Sequence, residues 1–106
     1  MGEKLWTFRF KTGQDRLRIH FVTRYGRVIS IIVIQYEAYI DGKWRAIVRF
    51  DEAHGFFHRD VMSPFGKQKK TAYVVEDKNK ALSDAIDHIK QDWMLYRQAY
   101  EDKYYE

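Results

Sequence analysis

The stretch RLRIHFVTR, Arg16 to Arg24, puts Leu17, Ile19 and Phe21 on one parity and Arg16, Arg18 and His20 on the other. Only an extended strand, whose successive side chains point to opposite faces, turns a period of two into one apolar and one polar face. Such a strand has to be buried on one side, so it commits the chain to a sheet with at least one covered face.

Five more segments read as strands. LWTFRFK (Leu5 to Lys11) sets Trp6, Phe8 and Phe10 against Thr7, Arg9 and Lys11. VISIIVIQYEAYI (Val28 to Ile40) starts apolar on both parities and then alternates, which predicts a long central strand covered on both sides near its start. WRAIVRF (Trp44 to Phe50) predicts Trp44, Ala46, Val48 and Phe50 inward and Arg45, Ile47 and Arg49 outward. FHRDVM (Phe57 to Met62) and QKKTAYVV (Gln68 to Val75) complete the set. Turn residues separate the segments: RYGR with Gly26, the Asp41-Gly42 pair, and SPFGK with Pro64.

The period then changes. Leu82, Ala85, Ile86, Ile89, Trp93, Tyr96 and Tyr100 recur at spacings of three and four, with Asp77 placed as N-cap. The expected architecture is α+β: an antiparallel meander of five or six strands, with one long C-terminal helix packed on one face. Residues 1–106 read as a single domain, with the sheet over about 4–75 and the helix over about 78–103.

Composition removes several chemistries. The chain has no cysteine, so disulfides, thiolate zinc sites and cysteine nucleophiles are excluded. No apolar run approaches the roughly 18 residues of a membrane helix, and MGEKLWTFRF lacks a signal-peptide core. The expectation is a soluble, cytoplasmic protein with no membrane partner. P-loop, GxGxxG and nucleophile-elbow patterns are missing, and nothing calls for a cofactor.

Charge is uneven along the chain. Residues 1–50 hold ten Lys and Arg, seven of them Arg, against four Asp and Glu, whereas residues 77–106 hold five against seven. Arginine suits phosphate and base contacts, so Arg16, Arg18, His20, Arg45 and Arg59 are candidate nucleic-acid-binding residues.

The densest chemistry lies in RFDEAHGFFHRD, Arg49 to Asp60. His54 and His58 have HxxxH spacing, but Gly55 and two phenylalanines argue against a helix. In a strand the two histidines would stand about 13 Å apart, too far to share one ion. A bend at Gly55, with Asp51 or Asp60 as a third ligand, would restore a metal site. Acid–base chemistry on RNA is an alternative, with histidines as base and acid and an arginine facing the phosphorane. A third alternative is a loop capped by Asp51, with Phe56 or Phe57 plugging the core.

Residues 49–58 follow the pattern R-[YF]-D-x-A-H-G-x-x-H. In this they resemble a family of short prokaryotic, often archaeal, domains of unknown function, the likeness spanning Arg16 to about Thr71. A looser likeness joins the stretch to small proteins described as toxin components of type II toxin–antitoxin pairs. The resemblance marks Arg49, Asp51, His54 and His58 as the candidate catalytic set. The arginine-biased strands and the histidine loop point to an RNA-directed module, and the looser likeness implies a toxin-like ribonuclease. The alternatives are a non-enzymatic interaction module, with a partner protein or a second copy, and a metal-binding domain.

Overall fold

A computed structural model describes residues 1–53, 55–66 and 68–106. Six strands form one antiparallel sheet in sequential order: β1 (Gly2–Arg9), β2 (Asp15–Arg24), β3 (Arg27–Ile40), β4 (Lys43–Asp51), β5 (His58–Met62) and β6 (Gln68–Ala72). One helix, α1 (Lys78–Tyr104), follows. The α+β meander with a C-terminal helix is therefore as expected.

The turns explain the sequential order. Tyr25-Gly26 and Asp41-Gly42 all have positive φ, the backbone of a two-residue turn whose twist matches the strands it joins. Asp77 caps α1, its carboxylate accepting from the amides of Asn79 and Lys80. The helix lays Leu82, Ala85 and Ile89 on a core that includes Leu17, Ile34, Tyr36, Val48 and Phe50.

Two departures from simple alternation matter. The apolar start of β3 is not covered on both sides. His20 pairs with Val33 while Phe21 pairs with Ile31, and Val22 pairs with Ser30 while Thr23 pairs with Val28. Ile32 and Ile29 are thus extra residues at β-bulges, and both are exposed. A third bulge lies in β4: Tyr36 pairs with Val48 but Glu37 pairs with Ala46, so Ile47 is the extra residue. It reverses the phase of the first half of β4. Trp44 goes to the face away from the helix, where the Arg16 guanidinium lies 4.0 Å from its ring centroid. Arg45 goes to the helix face, donates to the Tyr104 hydroxyl at 3.2 Å and stacks on that ring.

The helix packs over β3 and β4, leaving the flanks thinly covered. Trp6 and Phe8 share a face with Ile19 and Leu17, yet are 48% and 38% exposed, because β1 is an edge strand beyond the helix.

A buried ion pair clamps the far half of α1. Asp15 is 2% exposed and accepts from Thr12, from the Tyr36 hydroxyl at 2.5 Å and from Arg97 at 2.7 Å. Arg97 also donates to the carbonyls of Gln14 and Tyr39. Burial and the Asp15 hydrogen bond push the Tyr36 phenol far above its ordinary pKa, so it stays a donor. Replacing Arg97 with Ala leaves a desolvated carboxylate and two carbonyls short of a donor. We predict a loss of about 3 kcal/mol in urea denaturation; a loss below about 1 kcal/mol would show that the clamp is not a main support of the helix.

Candidate functional site

Among the described residues nothing forms a second layer on the face away from the helix, yet several of its polar residues are buried. Register explains which. One cross-strand row runs Thr7, Arg18, Gln35, Arg49, Asp60, Lys70 through all six strands. Beside it Asp51 pairs with His58, and Arg16 pairs with Glu37. Long side chains lie across their neighbours and shield the shorter acids from water.

Two polar clusters result. In the first, Glu37 accepts from Arg16 at 2.6 Å, Arg18 at 3.2 Å and Gln35 at 2.5 Å. Burial works against its charge, but the bonds from Arg16, Gln35 and Arg18 outweigh burial and hold its carboxyl below the usual carboxylate range.

The second cluster centres on His58, which is 1% exposed; Asp51 and Asp60 are 6% and 5% exposed. His58 Nδ1 lies 3.1 Å from the Phe56 carbonyl, which can only accept, so Nδ1 carries a proton. The other nitrogen, Nε2, faces two carboxylates: Asp51 Oδ1 at 3.1 Å and Asp60 Oδ2 at 3.2 Å. The three donor atoms lie within 4.8 Å of one another. The second oxygen of each acid faces a cation whose side chain reaches solvent, and Asp60 Oδ1 is itself buried with no hydrogen-bond partner among the described residues. Asp51 Oδ2 is 3.7 Å from Arg49 Nε, and Asp60 Oδ1 is 3.4 Å from Lys70 Nζ.

Local sequence builds the cluster. His58 and Asp60 are two apart in one strand and so share a face. Asp51 ends β4 and its carboxylate accepts from the Ala53 amide at 3.0 Å, the loop cap foreseen above. Gly55, at φ 82°, reverses the chain so that β5 returns beside β4. Phe57 enters the core and stacks on Phe50, whereas Phe56 stays 42% exposed with its ring 5.2 Å from that of His58.

The structure brings Arg49, Asp51 and His58 together and adds Asp60, which the sequence offers only as an alternative third metal ligand. The H-x-D spacing was its signal. His54 lies outside the described residues. Arg16, Arg18 and His20 lie on the open face, each beside a carboxylate: Glu37 for the first two and Glu3, at 2.5 Å, for His20. Arg45 and Arg59 do not join them. Arg59 lies between His58 and Asp60, so it points to the helix face and donates to the Tyr96 hydroxyl at 3.1 Å.

Arg49 and Lys70 balance the two acids from the outer side. On the inner side, the atoms facing His58 Nε2 are two carboxylate oxygens, and a proton on Nε2 or a divalent ion bound by all three atoms would supply positive charge between them. The separations of 3.1 and 3.2 Å also fit the edge of a coordination polyhedron. Metal–donor bonds near 2.0–2.2 Å put adjacent donors about 2.9–3.5 Å apart.

The chain belongs to the family described as Domain of unknown function (DUF7718), which matches residues 1–105. No curated protein and no solved structure matches it. Among the described residues, no helix is long and apolar enough to cross a membrane.

The Glu37 cluster yields a signed pH dependence. A folded-state carboxyl below its unfolded value contributes stability that is full above the unfolded value and is lost as pH falls through the folded one. Glu37→Gln therefore makes the loss of stability on acidification shallower below the usual carboxylate range, as read by urea midpoints from pH 7 down to pH 3. Parallel curves for variant and parent would contradict this.

Proposed function

We propose that this member of the DUF7718 family is a metal-binding domain, with Asp51, His58 and Asp60 as ligands to one divalent ion. The observation that carries the reading is the orientation of His58. Its Nδ1–H is spent on the Phe56 carbonyl, so Nε2 is the atom presented to Asp51 and Asp60. A histidine fixed through one nitrogen by a backbone carbonyl and presenting the other to a ligand set is how proteins orient imidazole toward a metal. One nitrogen and two oxygens, with no sulfur, suit manganese, iron(II) or zinc.

Purified protein titrated with Mn²⁺ or Zn²⁺ gives one equivalent bound and a higher unfolding temperature, the stabilisation reaching about 2.7 kcal/mol at a hundredfold excess over Kd. The near-isosteric Asp60→Asn and His58→Gln variants lose more than about 100-fold in affinity. Elemental analysis without stoichiometric metal, together with melting curves that ignore added metal, rejects the reading.

An RNA-directed role stands second, supported by Arg18, whose side chain is 54% exposed in the cross-strand row leading to the cluster. Fluorescence anisotropy of labelled single-stranded RNA over a salt series tests it. Arg18→Ala should lower the salt slope by about one, and Arg45→Ala and Arg59→Ala should leave it unchanged. Binding that does not respond to salt removes this role.

A further inference from the structure

We infer that the same centre takes a phosphate group, held between the metal ion and the side chains of Arg49 and Lys70. This rests on the metal reading above and adds the ligand to it. The three donors found among the described residues do not by themselves fill the coordination of a divalent ion, and an exogenous oxygen can complete it.

The two cations sit where such an oxygen donor would meet them. Asp51 and Asp60 each give one oxygen to the centre and turn the other toward a cation, Arg49 on one side and Lys70 on the other. Neither pairing is tight, at 3.7 Å and 3.4 Å. The Arg49 Nε–H is buried and has no hydrogen-bond acceptor among the described residues. The Arg49 side chain is 43% and the Lys70 side chain 36% exposed, so both reach solvent from beside the buried acids.

Charge selects the ligand. With a divalent ion the two carboxylates are neutralised, and Arg49 and Lys70 leave two positive charges over. A tetrahedral dianion with several acceptor oxygens answers both charges, the orphaned Nε–H and the metal together. A neutral ligand answers only the metal. Phe56, exposed beside His58, offers a flat apolar surface to an organic group carried by the phosphate.

The test is calorimetric titration of the Mn²⁺-loaded full chain with inorganic phosphate, adenosine monophosphate and a short oligoribonucleotide. At least one should bind, and the arm that binds tightest names the source of the phosphate. Arg49→Ala and Lys70→Ala should each weaken that binding at least tenfold, with metal affinity, measured separately, unchanged or raised, since a competing positive charge is removed. Metal uptake without binding of any of the three overturns this inference alone. Equal phosphate affinity in parent, Arg49→Ala and Lys70→Ala does the same. Failure to take up metal overturns the reading beneath it and this inference with it.

Discussion

A six-stranded sheet with a single helix has one face that no second layer covers, and the rest of this structure follows from how that face is managed. On the helix side, burial is simple: aliphatic and aromatic side chains meet α1 over β3 and β4. On the open side the middle strands carry Gln35, Glu37, Asp51, His58 and Asp60, all buried or nearly so. They are desolvated by neighbouring side chains, not by a layer above. Desolvated polar groups must be paired, and the pairing makes the open face a set of linked clusters, not a uniform basic surface. Arginine bias in the first fifty residues therefore overstates the free positive charge. Arg16 is committed to Glu37, Arg18 shares that carboxylate while its side chain stays half-exposed, and Arg45 is committed to Tyr104 on the helix face.

The bulges decide what each face contains. One extra residue in a strand moves every following side chain to the opposite side. At Ile47 this sends Arg45 under the helix end and brings Trp44 out beneath Arg16. At Ile29 and Ile32 the extra residues absorb an apolar run that would otherwise demand cover on both faces. These positions have no special sequence signature: isoleucine is as good in a regular strand as at a bulge.

The cluster of Asp51, His58 and Asp60 is assembled partly by local and partly by non-local rules. His58 and Asp60 share a face through the strand period alone. The same period sends Arg59 to the other side, a placement that the residues between His58 and Asp60 already contained. Asp51 meets His58 because β4 and β5 pair in one register, set by the reversal around Gly55. Of the two histidines that looked like a pair, the described one works with acids of its own and the neighbouring strand.

By itself, the sequence determined the element list, the antiparallel meander, the apolar face of β2 and the stripe of α1, because these depend on periods of two and of three to four and on turn residues. It also singled out the Arg49–Asp60 stretch, where charged and imidazole groups crowd around a glycine. Tertiary structure alone decided that Arg45 leaves the open face, which edge aromatics remain exposed, and that His58 Nε2 stands between two buried carboxylates. Those outcomes depend on bulge positions, strand register and the reach of one helix, and each of these is fixed by packing between residues far apart in the chain.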